Sequence, residues 1–241
     1  MRKVLHSGSL LTVFFFLLCL GIVLIGKLIA PELEMVVAEN QPLYQGCTGQ
    51  KIVALTFNVD WGEEFLPEIL KTLQKKNALA TFMITGKWAQ KNPALVRQIA
   101  QAGHEIGNHS YHHPHPNNLG RSELEEELNR TRRVIEEISG KTPQVFAPPY
   151  GEFNQRVLNV AEDLGYTVIM WTLDTVDWKR PAASVIVDRV TRGIQPDYII
   201  LMHPTAPTLQ ALPEILGYLQ QEGYTLMTVS GMIQEGGKSN R

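Results

Sequence analysis

The sequence predicts an α/β fold: a distorted (β/α) barrel of about seven parallel strands, preceded by an N-terminal transmembrane helix. Three observations carry that expectation. Short apolar runs alternate with amphipathic stretches from Lys51 almost to the C-terminus, and parallel strands need such crossover helices between them. The polar, unusual residues cluster just after the apolar runs, at the end of the strands where a barrel builds its site. No glycine fingerprint for a dinucleotide or phosphate follows the first run, which argues against a nucleotide-binding doubly wound sheet.

The 241 residues hold 22 Lys plus Arg against 24 Asp plus Glu, a net charge of −2. No basic field is available to hold nucleic acid. A hydrophobic content of 44% with 19% charged residues excludes a largely disordered chain. Two cysteines, Cys19 and Cys47, are too few for a disulfide framework.

The chain divides into four parts. Leu10 to Gly26 reads LLTVFFFLLCLGIVLIG, without a charge, and continues to Ala30; that length reaches the lower limit for spanning a bilayer. Arg2 and Lys3 precede it, and Glu32 and Glu34 follow Lys27. This asymmetry puts the amino terminus in the cytoplasm and the remainder outside. Residues 1–30 are therefore read as a cytoplasmic stub and signal-anchor, with cleavage after Ala38 and secretion as the alternative. Residues 31–50 read as a linker, 51–235 as the folded domain and 236–241 as a tail.

Within the domain, Lys51–Phe57 and Ala78–Thr85 read as strands, with an amphipathic helix between them from Glu64 to Lys76. A helix opens at Pro93 and closes at Gly103, followed by a short strand from His104 to Gly107. Ser122–Ser139 is the clearest helix: Ser122 and Glu125 suggest a capping box, and Gly140 a stop. Val145–Ala147, Thr167–Trp171, Tyr198–Met202 and Tyr224–Val229 complete the strands. Phe153–Leu164, Ala182–Arg192 and Leu209–Glu222 complete the helices.

Five of the seven histidines lie between His104 and His115. His104 reads as a packed strand-end residue. His109 and His113 are four apart, so one helical turn would place both imidazoles on one side, a geometry that binds a divalent metal. Alone, the pair is equally consistent with two surface histidines. Asp60, directly after the first strand, adds a carboxylate, a set suited to Zn²⁺ or a similar ion; a turn or capping role is the bland reading of this residue. His203 follows four apolar strand residues and precedes a proline, a place poorly explained by packing and suited to a proton donor. Asp177 is a candidate to hold the His203 ring. Trp178 and Leu201 fit a small apolar pocket or ordinary core. Pro148, Pro149 and Gly151 rigidify the backbone around Tyr150, whose amide N–H then suits a developing oxyanion.

Together the motifs TFNVDWG, HSYHHP, FAPPYG, DTVDW and LMHP resemble the polysaccharide deacetylase family, the NodB-homology or carbohydrate esterase family 4 domain. The likeness runs from about Lys51 to Gly231, and its wording is most similar to the sporulation-associated branch. The resemblance implies a metal held by Asp60, His109 and His113, and water attacking an N-acetyl carbonyl of a cell-wall glycan such as peptidoglycan. It also implies the Tyr150 amide on the oxyanion, His203 as general acid, and Pro149, Trp178 and Leu201 against the substrate.

Two positions depart from the family pattern. Asn58 stands where the family places a general-base Asp, and Ala147 where it places the Arg that orients that Asp. An amide accepts no proton at neutral pH, and losing a general base costs about 10²–10⁴-fold. Glu63, Glu64 and Asp174 are the candidate substitute bases. The resemblance thus implies a metal-dependent N-deacetylase, and the departures raise a non-catalytic glycan-binding or scaffold protein of wall or spore assembly as the alternative.

Overall fold

In the computed structural model residues 40–239 are described. The apolar segment read as a membrane anchor, and its cleavage site, lie outside the described residues. Among the described residues no helix is long and apolar enough to cross a membrane.

Strand β1 (Ile52–Val59) is buried along its whole length, as a strand covered on both faces requires. It pairs with β2 (Thr81–Ile84) on one side and β7 (Ile199–Met202) on the other, and its first residues pair with β8 (Thr225–Met227). Beyond β2 come β3 (Glu105–Asn108), β4 (Val145–Phe146) and β5 (Thr167–Val168); beyond β7 lies β6 (Leu173–Asp174). The order is β5-β4-β3-β2-β1-β7-β6 with β8 beside β1, and every strand pairing is parallel. The expected parallel α/β architecture is observed, as a half-barrel in which β8 adds an eighth strand.

Two-residue alternation along β1 separates two apolar layers. Val53, Leu55, Phe57 and Val59 pack outward against the helices. Ile52 and Ala54 point inward, onto Met83, Val145, Ala147, Ile169 and Ile199. By the same period of two, Thr56 and Asn58 continue the inward face, so the barrel interior turns from apolar to polar toward the C-terminal ends of the strands.

The helices follow their apolar faces. α1 (Leu66–Lys75) buries Leu66, Ile69, Leu70 and Leu73. α2 (Gly86–Lys91) and α3 (Pro93–Gln101) follow β2. α4 (Arg121–Ser139) buries Leu124, Leu128 and Ile135 and ends at Gly140 in the left-handed conformation, φ 68°. Its cap differs from expectation. Gly120, not Ser122, occupies the N-cap, and the Glu123 carboxylate accepts the Gly120 N–H at 2.7 Å. Only that half of the box forms because glycine has no side chain to return the bond. α5 (Gln155–Asp163), α6 (Ala183–Gly193) and α7 (Ala206–Gln221) complete the crossovers. α8 (Val229–Ser239) closes the chain with Val229 and Met232 in the inner layer.

Residues read as the end of a linker are bound into the sheet. Leu43 bridges Ile169 in parallel and Gln45 bridges Tyr198 antiparallel. The Leu43 N–H donates to Val168 O and its carbonyl accepts from Met170, each at 2.8 Å. Farther along, the buried Asp197 carboxylate accepts from the Thr48 hydroxyl at 2.5 Å and from the N–H groups of Thr48 and Gly49 at 3.1 and 2.9 Å. This stretch occupies the gap between β5 and β6.

His104 is the packed residue expected. The Ala80 N–H donates to its Nδ1 at 3.3 Å, which puts the ring proton on Nε2, and that atom is buried without a polar partner near the Phe82 ring. Burial, with the Lys141 charge adding to it, lowers its pKa from 6.5 to about 4. The unfolded chain therefore takes up a proton that the folded chain refuses. The stability present above pH 6.5 is lost as pH falls from 6.5 toward 4, by on the order of 3 kcal/mol. We expect His104→Leu to flatten this part of the pH dependence, read by urea unfolding near pH 7.5 and pH 4.5; equal slopes for the two proteins would refute the assignment.

Candidate functional site

At the C-terminal rim of the sheet a cavity of about 430 Å³ opens. It is lined by Asn58 on β1, Asp60 and Trp61 after it, His109 and His113 after β3, Tyr150 and Gly151 after β4, Trp171, Asp174 and Trp178 around β6, Leu201 on β7 and His203 just after it. Of the candidate metal-ligating, proton-transferring and substrate-contacting residues, Pro149 and Asp177 do not line it. Pro149 is buried in the turn beneath Tyr150, and Asp177 is fully buried behind His203.

The acid side is built around that buried carboxylate. Asp177 Oδ1 lies 2.8 Å from His203 Nδ1, while Oδ2 accepts the His203 backbone N–H at 2.6 Å and the Thr208 hydroxyl at 2.6 Å. A carboxylate accepts only, so the His203 proton sits on Nδ1 and Nε2 is left to hold or release a proton. Thr208 is positioned by Thr205, which caps α7 and lies 2.7 Å away, hydroxyl to hydroxyl. Val176, immediately before Asp177, adopts φ 55°, a strained conformation for a β-branched residue.

On the opposite side the histidine segment is not a helical turn. Ser110 and His113 have φ of 62° and 59°, and the chain bends rather than coils. The two imidazoles nevertheless meet, edge to face, with centroids 4.9 Å apart. The bend is anchored by buried Asn108, whose amide donates to Leu128 O and Tyr166 Oη and whose oxygen accepts the Ser110 N–H. His109 Nδ1 lies 2.6 Å from the Ala147 carbonyl. Because that oxygen only accepts, the proton is on Nδ1 and Nε2 carries a bare lone pair. Burial, reinforced by His113, holds His109 down at about 3. Burial also lowers His113, against the pull of the Asp60 carboxylate. Asp60 itself is oriented by the Thr85 hydroxyl at 2.7 Å.

These are the properties a cation demands: neutral imidazoles, one with its tautomer fixed by an outer hydrogen bond, and a carboxylate on the same cavity. The donor chemistry fits a divalent metal. The placement stops short of a closed cage, since among the described residues no three His, Cys, Asp or Glu side chains form a ready-made ligand group.

Asn58 lines the cavity. Ala147 packs its methyl group into the barrel interior. Of the three substitute carboxylates, only Asp174 lines the cavity; Glu63 accepts the Trp88 indole N–H at 3.3 Å instead. Around Tyr150 the turn bonds run from the Gly151 and Glu152 N–H groups to Pro148 and Pro149, so the Tyr150 amide takes no part in them. Tyr150 itself is left-handed, with φ 60°. Gly151 is required beside it, because a Cβ there would lie 2.6 Å from the Trp171 ring.

Trp61 was not singled out in the sequence. Its ring lies parallel to His203, centroids 5.9 Å apart and planes within 4°. Gly62 makes this possible: at φ 85°, a Cβ would fall 2.2 Å from the Pro204 carbonyl. The glycine of TFNVDWG was visible in the motif, but its partner after β7 was not.

The polysaccharide deacetylase family profile matches residues 45–169. The chain is 39% identical over 207 residues to YlxY of Bacillus subtilis, an uncharacterized protein; the match takes in 86% of this chain and spans 65% of YlxY. It is 34% identical to a peptidoglycan-N-acetylglucosamine deacetylase of Bacillus cereus, over 79% of this chain and 71% of that one. Among solved structures, a pseudoenzyme of carbohydrate esterase family 4 from Bacillus anthracis superposes with a TM-score of 0.80 at 40% identity, over 85% of this chain and 73% of that one. A mutant of that pseudoenzyme described as having restored enzymatic activity matches at 38% identity and a TM-score of 0.80, over 85% of this chain and 75% of that one.

We expect Thr208→Val to destabilise the fold by about 1–3 kcal/mol, because the buried Asp177 carboxylate would lose one of its donors. Urea denaturation measures this. An unchanged midpoint would mean that the carboxylate is not held as described.

Proposed function

The chain belongs to the polysaccharide deacetylase family, and from that premise we propose that it is a metal-dependent N-deacetylase of cell-wall glycan, slowed by the absence of its general base. The observation that carries this reading is the convergence on one cavity of His203, backed by Asp177, with Asp60, His109 and His113. We further propose that the domain works outside the cytoplasmic membrane. The charge asymmetry around Leu10–Gly26 supports that address.

Asp60, His109 and His113 would hold the cation, which when bound supplies Lewis acidity and lowers the pKa of water toward neutrality. The chain's own groups account for the remaining steps. The Tyr150 amide, outside the hydrogen bonds of its turn, is available to an oxyanion. Leu201 and Trp178 offer an apolar wall to the acetyl methyl group. His203, its Nδ1 fixed on Asp177, delivers the Nε2 proton to the departing amine. Asn58 takes no proton, so removal of the water proton falls to Asp174, the one substitute carboxylate on the cavity.

A second reading is favoured by a specific observation. Asn58 and Ala147 together remove the base and its orienting partner, and a 40% identical structure is described as that of a pseudoenzyme. On this reading the cleft binds N-acetylated glycan without turnover.

Acetate release from N-acetylglucosamine oligomers or peptidoglycan by the purified full chain decides between them. We expect slow release that a chelator abolishes, that Zn²⁺ restores and that His203→Ala eliminates. Asp174→Asn should remove the residual rate. The double change Asn58→Asp with Ala147→Arg should raise it by about 10²–10⁴-fold. Activity in the double variant alone would establish the binder reading, and none in either would refute the deacetylase assignment.

The metal side makes a separate prediction, read by zinc titration rather than turnover. Thr85→Val, which removes the hydroxyl on Asp60, should weaken zinc binding by about 10–100-fold. Unchanged affinity would remove Asp60 from the ligand set.

A further inference from the structure

The segment that joins His109 to His113 carries two left-handed residues, Ser110 at φ 62° and His113 itself at φ 59°. Residues other than glycine keep that conformation only where their surroundings hold them in it. Here two helices do the holding. The Gly86 and Lys87 N–H groups, at the start of α2, donate to the carbonyls of Ser110 and Tyr111, each at 3.0 Å. Glu127, on α4, takes the amide side of the same residues. One oxygen of its carboxylate accepts the N–H groups of Tyr111 and His112, both at 2.8 Å, and the other lies 2.6 Å from His112 Nδ1. The Glu127 side chain is only 14% exposed, so water competes little for these bonds, and bonds to an ionised acceptor are the stronger kind. Tyr111 is locked as well: its hydroxyl donates to Gln90, and the Arg130 guanidinium lies over its ring at 3.7 Å. Nothing in the proposed chemistry uses Glu127.

We infer that Glu127 is a positioning residue for the cation: by gripping the amides of Tyr111 and His112 it fixes how the rings of His109 and His113 converge. The inference rests on the metal reading above. The His109 ring is oriented by the Ala147 carbonyl, whereas His113 takes its direction from the backbone immediately before it, which is the stretch Glu127 holds. Without that acceptor two adjacent amides lose their partner, and the left-handed turn at His113 loses its support. The two imidazoles are then free to part before a metal arrives, and groups that orient metal ligands govern affinity nearly as much as the ligands do. The role calls for an acceptor of this length and not for a charge. Glu127→Gln preserves it, because an amide oxygen has two lone pairs for the two N–H groups, and its NH₂ can donate to His112 Nδ1 in the other tautomer.

The test is zinc titration of the metal-free full chain, with urea unfolding of each metal-free variant alongside. Glu127→Ala should weaken zinc binding by about 10-fold or more, while Glu127→Gln should stay within about 3-fold of the unaltered chain. Glu127→Asp keeps the charge but withdraws it by one methylene; it should behave like Glu127→Ala and stands in for that variant if it does not fold. Co²⁺ gives a second readout: its visible spectrum should change in Glu127→Ala and be preserved in Glu127→Gln. A lowered urea midpoint with zinc affinity unchanged would make Glu127 a stabilising contact only and overturn the inference. Equal weakening in Glu127→Ala and Glu127→Gln would overturn it too, since the effect would then belong to the charge. An unaltered chain that binds no zinc would overturn the metal reading and this inference with it.

Discussion

The site depends on one constraint: every strand of the sheet runs the same way. Parallel strands all release their chain at the same rim, so residues from opposite ends of the sequence, Asn58 and His203 among them, share one cavity. The period of two on β1 then decides what the cavity floor is made of. Ile52 and Ala54 seal the interior below, and Thr56 and Asn58 face the same way above them. A slip of one residue in the pairing of β1 would bury Asn58 among the helices and turn Phe57 into the cleft. The chemistry is thus tied to the register of Thr56 with Thr81 and with Leu201.

Much of this was legible in the sequence because the motifs fall in order after apolar runs, and an apolar run followed by a polar cluster marks a strand end. Asp60, His109, His113, Tyr150 and His203 were found that way, and all reach the cavity. What was not legible depended on partners distant in sequence. Thr208 is an ordinary N-terminal helix residue until Asp177 is placed behind it, and Trp61 is one more aromatic until Gly62 closes on Pro204. Strand β6 is two residues long, too short to show a period. The helical turn expected between His109 and His113 failed for a local reason. Ser110 and His113 are left-handed, held by the side chain of Asn108, and nothing in the spacing of the histidines signals that anchor.

The two departures from the family pattern have unequal consequences, and the hydrogen bonds explain why. His109 is oriented by the backbone carbonyl of residue 147, not by its side chain. An alanine at position 147 therefore leaves the orientation of His109 untouched. The exchange at 58 makes the same economy. With an amide at that position, a guanidinium inside the barrel would be a buried charge without a partner, which costs several kcal/mol, whereas the Ala147 methyl joins an existing apolar layer. On the proposed function, the pair of changes is self-consistent as a fold while damaging to catalysis.

How damaging follows from magnitudes. A missing general base raises the barrier by about 3–5 kcal/mol, while enzymes lower barriers by roughly 8–23 kcal/mol in all. On the proposed function, the groups retained here, His203 on buried Asp177, the Tyr150 amide and the Asp60, His109 and His113 donors, would be those that supply the larger share through electrostatic pre-organisation. Nor does the base loss touch the aromatic walls, because Trp61 and Tyr150 are braced by His203 and His115 and make no use of Asn58. On the proposed function, glycan recognition and proton removal would therefore be separable in this architecture, and that independence would let a slow deacetylase and a pseudoenzyme share one fold.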